Sequence, residues 1–299
     1  MLKDKSPASV RGFTLIEAIV TIVIIGIVGA MVGMFIRNPI QQYMDVESRM
    51  AVTDVADTAV RRMARDIHLA LPNSVRNPVD GSVQCIEFIP TKMGGRYRAA
   101  AAAAGGDPLD FTAADDAFDM LWLNGNLPAA SRIAVNDVVV VYNDGIGGGD
   151  AYTGANAIQV ANLAEPGGTA NTTAITFVDA LTAAPFNRKQ LPSESPASRF
   201  QVIPAGSHVV SYRCNSGVLT RSTRTLTAAW GQPSDCDAMA LGATVAILAQ
   251  NVTTCSLNYE PPGSSTGLSR FGIVSISLEM TQAGESVRLY HQIHVDNTP

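Results

Sequence analysis

The sequence predicts an α+β protein in which a long N-terminal helix, half transmembrane and half amphipathic, packs on an antiparallel β-sheet domain. Three observations support this fold class: an apolar run from Phe13 to Ile36, a helical stripe of apolar residues that begins at Val52, and short strand-like segments after Pro72. The expected boundaries are 1–12 for a leader, 13–36 for the transmembrane segment, 37–71 for the amphipathic half and 72–299 for the β-rich domain.

The apolar run is long enough to cross a membrane. At about 1.5 Å per residue it forms a rod of roughly 36 Å, whereas a bilayer core is about 30 Å thick. Its one ionisable side chain is Glu17. A carboxylate inside a bilayer costs from about 2.5 to over 10 kcal/mol. Glu17 therefore needs a partner there, unless it snorkels to the headgroups or compensates the helix dipole.

The amphipathic half shows apolar residues at steps of three, one and four, which is a helical spacing. Pro72-Asn73 is a typical stop for this helix. Between the two halves lies Asn38-Pro39, and a proline removes a helical hydrogen bond, so we expect a kink or a short unwound segment there. The stripe consists of Val52, Val55, Ala56, Ala59, Val60, Met63, Ile67, Ala70 and Leu71.

Nine segments after the helix are predicted to be strands, because they are rich in β-branched and aromatic residues and are bounded by turn residues. The last two form the clearest pair: apolar and polar residues alternate in both, and Thr281–Glu285 lies between them, which predicts an antiparallel hairpin. No repeat and no second β-domain is expected. The predicted strands are 83–89, 135–142, 157–163, 174–178, 208–214, 218–224, 252–260, 272–280 and 286–295.

The charge distribution bears on partners and on topology. A net charge of −5 offers no basic face for nucleic acid. Lys3, Lys5 and Arg11 precede the apolar run and place the N-terminus in the cytoplasm by the positive-inside rule. The domain beyond the helix would then be exported to a compartment in which disulfides form.

The junction Gly12-Phe13 separates the basic residues from the apolar run, and no small-residue cleavage site follows that run. A secretory signal is cut after its apolar core, whereas this segment is built to be cut before it. The stretch from Gly12 to Glu17, GFTLIE, resembles the cleavage and methylation motif of type IV pilins and type II secretion pseudopilins. The resemblance implies that prepilin peptidase cuts after Gly12, that Phe13 becomes an N-methylated terminus, and that Glu17 attracts the terminal amine of a neighbouring subunit.

Electrostatics agrees with the role implied for Glu17. A cut before Phe13 creates an ammonium group in the bilayer, and a carboxylate is its natural counter-ion. The pair forms between subunits, because the two groups of one chain lie a turn apart on the same rigid helix.

Similarity to one family extends beyond the leader. It covers RMARDI at 62–67, IPTK at 89–92, GGRYR at 94–98, SYRC at 211–214 and LYHQIHV at 289–295. These stretches resemble the MshO family of MSHA-pilus biogenesis proteins, which is related to the minor pseudopilin GspJ and the minor pilin PilW. The resemblance implies a non-enzymatic, low-copy minor pilin that helps to initiate or cap a filament.

The same resemblance implies partners and a location. The partners are prepilin peptidase, other minor and major pilins, and the inner-membrane assembly platform. The location is the bacterial inner membrane, as a single-pass protein with a periplasmic domain, and after assembly the pilus at the cell surface. Two alternatives stay open: a GspJ-like minor pseudopilin of type II secretion, and a single-pass membrane-anchored periplasmic enzyme or binding protein.

The four cysteines allow three disulfide connectivities. We expect Cys214 to pair with Cys236, because the strand 218–224 folds back from Tyr212 and brings them close. Cys85 would then pair with Cys255. The alternative is that some of the four remain free and buried.

Three features could carry chemistry, and for each we favour a structural interpretation. GSSTG at 263–267 matches a nucleophile elbow, but two prolines precede it and a strand-like segment follows. His291 and His294 are expected on opposite faces of a strand, where they cannot easily share a metal ion.

Acidic residues form the third feature. The cluster Asp110, Asp115, Asp116 and Asp119, and the turn from Asn143-Asp144-Gly145 to Asp150, supply oxygen ligands that calcium accepts. Neither has EF-hand spacing, so solvated loops are the preferred interpretation. We expect no catalytic residue and no cofactor, with structural calcium as the alternative.

Overall fold

The computed structural model describes residues 12–101, 103, 105–179, 189–226, 229–261 and 271–299. The chain divides into two compact units, one up to Ala51 and one over Val52–Pro299. Helix α1 extends over Leu15–His68. It is continuous across residues 37–39, so of the two expectations at Asn38-Pro39, a kink or a short unwound segment, the unwound segment is absent.

The part of α1 in the second unit, residues 52–68, buries the predicted apolar stripe. Met63 and Ala56 are completely buried, whereas Val55 is 42% exposed and is the stripe residue that was wrongly expected inside. The helix ends at His68, before the predicted Leu71. The chain then forms a tighter, 3-10-like turn, because the amides of Leu69 and Ala70 donate to the carbonyls three residues earlier. The amide of Leu71 donates to the carbonyl of Ile89 at 2.8 Å instead of continuing the helix.

The rest of the second unit is organised around antiparallel strands. In chain order the described strands are β1 (Cys85–Phe88), β2 (Met93–Arg96), β3 (Ala117–Met120), β4 (Val138–Val140), β5 (Ala157–Ala164), β6 (Thr173–Asp179), β7 (Arg199–Ile203), β8 (Val209–Asn215), β9 (Val218–Arg224), β10 (Thr244–Gln250), β11 (Val252–Glu260), β12 (Phe271–Gln282) and β13 (Glu285–Asp296). A short helix, α2 (Cys236–Ala240), and single 3-10 turns at Asn124–Asn126, Ala129–Ser131, Gly147–Gly149, Ala151–Thr153 and Pro196–Ser198 lie between them.

The strands form three sheets. Sheet 1 has the order β1-β8-β9-β10, sheet 2 the order β11-β12-β13, and sheet 3 the order β2-β7-β4-β5-β6-β3. A backbone hydrogen bond from Leu257 to Val83 connects sheet 2 to the segment that leads into β1. Each neighbouring pair within a sheet is antiparallel, as predicted.

The main core lies between α1 and sheets 1 and 2. Val52, Met63 and Ile67 of the helix pack there with Tyr212 of β8 and Ile276 of β12. The packing of a long N-terminal helix on antiparallel sheets confirms the predicted fold class. Sheet 3 has its own core, in which the ring of Phe118 lies near those of Phe177 and Phe200. A third, smaller cluster contains Leu71, Ile89 and Tyr152.

All nine predicted strands are present, whereas β2, β3, β7 and β10 were not predicted. Glycine is rare in strands, so Met93-Gly94-Gly95-Arg96 gave no strand signal. In β2 the glycine is needed for packing: a Cβ on Gly95 would lie 2.5 Å from the ring of Phe200 on β7.

The predicted C-terminal hairpin is confirmed. β12 and β13 pair from Phe271 opposite Asp296 to Gln282 opposite Glu285, which leaves Ala283-Gly284 as a two-residue loop. Both loop residues have positive φ, as the tight turn of a right-twisted hairpin requires.

The disulfides correct the predicted pairing. Cys85 bonds to Cys236, and Cys214 bonds to Cys255, so the expected pairs Cys214–Cys236 and Cys85–Cys255 are wrong. All four cysteines are bonded, which also excludes the free-thiol alternative.

Side-chain alternation explains the correct pairing. Cys85 lies opposite Arg213 in the β1–β8 pair, so the two side chains share one face of sheet 1. Arg213 forms an ion pair with Asp237 of α2, and Cys236 is therefore on the same face. Cys214 follows Arg213 and points to the other face, where it packs in the helix core near Cys255 of β11.

Candidate assembly site on the N-terminal helix

Thr14 caps the start of α1. Its hydroxyl accepts a hydrogen bond from the amide of Glu17 at 3.4 Å, and its carbonyl accepts from the amide of Ala18 at 3.2 Å. A threonine followed three residues later by glutamate has the spacing of a capping box, which fixes where a helix begins. Thr14 was not among the functional residues predicted from the sequence, although this spacing was available as a signal.

Glu17 lies in the first turn of α1, where the helix dipole favours a negative charge. Its side chain is exposed, and among the described residues none donates to its carboxylate. The nearby Thr21 hydroxyl bonds instead to the backbone carbonyls of Glu17 and Ala18, both at 2.9 Å. The carboxylate is thus available to a group from another molecule.

The helix around Glu17 leaves its apolar side chains uncovered. Leu15 is 79% exposed and Phe35, near the end of the run, is 81% exposed. The most apolar window of 18 residues in α1 has a mean hydropathy of 2.8, with none of it buried. By length and composition this helix could cross a membrane.

A comparison with protein families agrees with this geometry. The prokaryotic N-terminal methylation motif matches residues 8–33. The chain therefore carries a type IV pilin-like prepilin signal, the kind that prepilin peptidase processes. The match includes Gly12, Phe13 and Glu17, and together with the apolar helix it fits a membrane-anchored protein. No curated protein and no solved structure matches the chain.

The predicted acidic cluster does not converge on one point. The carboxylate of Asp110 accepts from the amide of Thr112 at 2.6 Å, and that of Asp115 accepts from the amide of Asp110 at 2.9 Å. Asp119 is buried and forms an ion pair with Arg98 at 3.3 Å. Asp110 and Asp115 therefore organise the loop that precedes β3, whereas Asp119 lies within the strand.

The turn from Asn143 to Asp150 is organised in the same way. Asn143 accepts from the amide of Ala151 at 2.8 Å, Asp144 from Ile146 at 2.9 Å, and Asp150 from Tyr152 at 2.9 Å. Among the described residues, no group of three His, Cys, Asp or Glu side chains could hold a metal ion.

The other candidates for chemistry are separated from one another. His291 and His294 are both exposed on β13, and the alternation of a strand places them on opposite faces. The GSSTG stretch at 263–267 and leader residues 1–11 lie outside the described residues.

An ionic contact that the sequence did not reveal joins α1 to sheet 1. Asp66 accepts from the hydroxyl of Tyr212 at 2.7 Å and from Nε of Arg221, also at 2.7 Å. Burial, together with the Asp66 carboxylate, raises the pKa of Tyr212. Tyr212 and Arg221 lie opposite each other in the β8–β9 pair, and the packing of α1 on sheet 1 brings the distant Asp66 to them.

A second buried contact lies on the opposite face of sheet 1. Glu87 is fully buried and forms an ion pair with Arg76 at 2.7 Å. Burial raises the pKa of the Glu87 carboxyl, and the Arg76 guanidinium opposes that rise. The indole of Trp230 also donates to Glu87 at 3.3 Å, which holds Trp230 on this face.

Proposed function

We propose that this chain is a minor pilin of the MshO type, which prepilin peptidase processes at Gly12-Phe13 and which takes part in initiating or capping an MSHA-like type IV pilus. The observation that carries the proposal is the match of the methylation motif to residues 8–33, on a helix whose apolar side chains are uncovered. An uncovered apolar helix is stable only in lipid or among other apolar helices, and a prepilin occupies both environments in turn.

Glu17 is the assembly residue in this proposal. After cleavage, the N-terminal amine of an adjacent subunit pairs with the Glu17 carboxylate, which has no donor of its own among the described residues. Pairing two opposite charges in a low-dielectric bundle offsets part of the cost of placing each of them there. The pair therefore favours assembly over separate anchoring in the membrane.

The proposed location follows from the same segment. The N-terminus faces the cytoplasm, α1 crosses the inner membrane once, and the β-rich domain lies in the periplasm until the subunit enters a filament. Two disulfides in that domain support an oxidising compartment. Its proposed partners are prepilin peptidase, the assembly platform, and other minor and major pilins.

The proposed function is non-enzymatic and needs no cofactor. A GspJ-like minor pseudopilin of type II secretion is the alternative, because the same motif and helix serve both filaments. The MshO assignment rests on the similarity at 62–67, 89–92, 94–98, 211–214 and 289–295.

A substitution at Glu17 tests the proposal. Glu17→Ala should leave membrane insertion and both disulfides intact, because Glu17 belongs to the first unit and both disulfides to the second. It should abolish recovery of the chain in filaments sheared from the cell surface, since the amine of the adjacent subunit loses its counter-ion. Glu47→Ala, an exposed acid elsewhere on α1, is the matched control and should be recovered normally. Normal recovery of Glu17→Ala would refute the role of Glu17.

A further inference from the structure

A polar groove opens beside the Cys214–Cys255 disulfide. The groove has a volume of about 420 Å³, and both cysteines of the bond line it. It lies where the turn between β8 and β9 meets the first residues of β11, and none of the described residues that line it is charged. Asn215, Ser216 and Thr254 in its lining are exposed, so the groove is open to solvent. The disulfide therefore borders a space that a reagent can enter.

The two cysteines of this bond lie in different surroundings. Cys214 is 9% exposed and packs in the helix core, whereas Cys255 of β11 is partly exposed. Gln84 lies opposite Cys214, because the β1–β8 register continues to this pair and the Cys214 amide donates to the Gln84 carbonyl at 2.9 Å. Residues opposite each other in an antiparallel pair place their side chains on one face. Gln84 is exposed, so a flexible surface side chain borders the bond on this side.

The other disulfide has less open space around it. Cys85 is completely buried, and its partner Cys236 begins α2, which lies over the face of sheet 1 that carries Cys85. The hydroxyl oxygen of Ser82 lies 3.3 Å from Sγ of Cys236. Backbone hydrogen bonds from residues 79–80 to residues 233–234 hold the segment before α2 in place. Reagents therefore have less room to approach this bond.

We propose that Cys214–Cys255 is a site of thiol–disulfide exchange, which a dithiol reductant reaches through the groove while Cys85–Cys236 stays oxidised. Exchange proceeds by attack of a thiolate on a disulfide sulfur, and its rate depends on access to that sulfur. The groove supplies this access at Cys214–Cys255. The inference goes beyond the proposed function and does not rest on it, because the purified chain alone can show the exchange.

The exchange has two steps. One thiolate of the dithiol attacks Sγ of Cys255, the more exposed cysteine, so the S–S bond breaks, a mixed disulfide forms, and Cys214 leaves as a thiolate that takes up a proton. The second thiolate of the dithiol then attacks the sulfur that the dithiol contributes to the mixed disulfide. This step closes a disulfide in the dithiol and releases Cys255, which takes up the second proton. Two electrons and two protons thus pass from the dithiol to the two cysteines.

Reduction loosens one joint in the β-rich domain. Cys214 belongs to sheet 1 and Cys255 to sheet 2, so the bond joins the two sheets that pack on α1. Backbone hydrogen bonds from β11 also reach the residues just before β1 and β9. These hydrogen bonds and the helix core remain after reduction, so the sheets should stay packed while residues 252–257 gain mobility. The disulfide is therefore a redox-sensitive joint between the sheets.

The first test compares the two bonds in the purified full-length chain in detergent. The chain is treated with dithiothreitol, thiols are alkylated with iodoacetamide at intervals, and mass spectrometry of peptides assigns each reduced pair. Cys214–Cys255 should be reduced at least about tenfold faster than Cys85–Cys236, because access limits the exchange. Equal rates, or reduction of Cys85–Cys236 first, would overturn the proposal.

Reduced thioredoxin replaces dithiothreitol in a parallel reaction, which distinguishes the source of the dithiol. Preferential reduction of Cys214–Cys255 by both reductants supports a site that protein dithiols also reach, whereas preferential reduction by dithiothreitol alone supports a site for small dithiols. Preferential attack of thioredoxin on Cys85–Cys236 would contradict the proposal.

A substitution at Gln84 tests the route. Gln84→Trp should slow the reduction of Cys214–Cys255 by about fivefold or more, because an indole beside Cys214 narrows the groove. Gln190→Trp, at an exposed glutamine outside the groove, is the matched control and should leave the rate unchanged. Both glutamines are exposed, so both variants should keep the wild-type denaturation midpoint. A wild-type rate of reduction in Gln84→Trp would show that the groove is not the route.

Hydrogen exchange gives a readout that does not depend on a variant. In the wild-type chain, after selective reduction and alkylation of Cys214 and Cys255, amides 252–257 should exchange faster than in the oxidised chain. The amides of β4 and β5 in sheet 3 should exchange at the same rate in both states, because the reduced bond lies outside that sheet. Equal acceleration throughout the second unit would mean general unfolding and would overturn the assignment of a local joint.

Discussion

At the scale of single residues, Asp66 connects α1 to sheet 1. One carboxylate oxygen accepts both the Tyr212 hydroxyl and the Arg221 guanidinium, so two positions on sheet 1 depend on one helical side chain. The helix stripe supplies apolar contact along the same surface, but apolar contact tolerates sliding, whereas hydrogen bonds to a fixed oxygen do not. Asp66 therefore sets the register of α1 on sheet 1.

Replacement of Asp66 tests this role. Asp66→Ala should lower the free energy of unfolding by about 1–3 kcal/mol, because a buried hydroxyl and a partly buried guanidinium lose their acceptor. Asp66→Asn should lower the free energy of unfolding by less, since its amide oxygen still accepts a hydrogen bond from Tyr212. Chemical denaturation of the two variants checks the order, with Asp54→Ala at an exposed position of the same helix as the control. An equal effect for Asp66→Ala and Asp54→Ala would contradict the account.

The sequence allowed Glu17 to be singled out but not Asp66. Glu17 is conspicuous because it is the one charge in an apolar run, which is a local property of the chain. Asp66 lies among other charged residues of an amphipathic helix, and nothing local distinguishes it from Arg65 or Arg62. Its importance arises from residues 146 and 155 positions away, which only the fold brings near.

At the scale of elements, the two disulfides fasten different faces of sheet 1. Cys85–Cys236 attaches α2 and the segment before it to the face that carries Glu87, whereas Cys214–Cys255 joins sheet 1 to sheet 2 on the helix side. The loops that they close differ in length, with sequence separations of 151 and 41. The longer loop constrains the unfolded chain more.

Paired alanine substitutions should rank the two bonds. Removing either disulfide should cost about 2–4 kcal/mol, and removing Cys85–Cys236 should cost about 1 kcal/mol more than removing Cys214–Cys255 because of its longer loop. Denaturation of Cys85→Ala/Cys236→Ala and Cys214→Ala/Cys255→Ala measures the difference. Peptide mapping of the unreduced wild-type chain should recover both bonds, and a peptide that joins Cys214 to Cys236 would contradict the structure.

The strands could be predicted where apolar and polar side chains alternate, and could not be predicted where that alternation is absent. β12 and β13 alternate along their whole length, and their hairpin was predicted with its loop. β10 is an apolar run without alternation, because its first half has no core on either face, and the sequence gave no reason to place it in a sheet. The cysteine pairing failed for a related reason: closeness along a hairpin does not reveal which face each side chain occupies.

At the scale of the whole molecule, the fold class followed from the sequence but the division into three sheets did not. The helix and the antiparallel strands both have local signatures. Partition of the strands into sheets 1 and 2 around α1, and sheet 3 around its own aromatic core, depends on long-range pairings such as β2 with β7. Strands β2 and β3, both absent from the prediction, form the two edges of sheet 3, so its extent could not be derived.

The whole molecule is interpreted as a chain whose N-terminal segment is built for processing and then for assembly with other subunits. The apolar helix, the methylation motif and the lone Glu17 all lie within one short stretch, and the β-rich domain follows it as a separately packed unit. This interpretation depends on the cut between Gly12 and Phe13, because an uncut chain has no terminal amine at Phe13 to offer the glutamate of a neighbouring subunit.

The most direct measurement is the N-terminal sequence and mass of the mature protein isolated from cells. The account predicts a chain that starts at Phe13 with an added N-methyl group. An intact Met1, or a cut after residue 36, would contradict it.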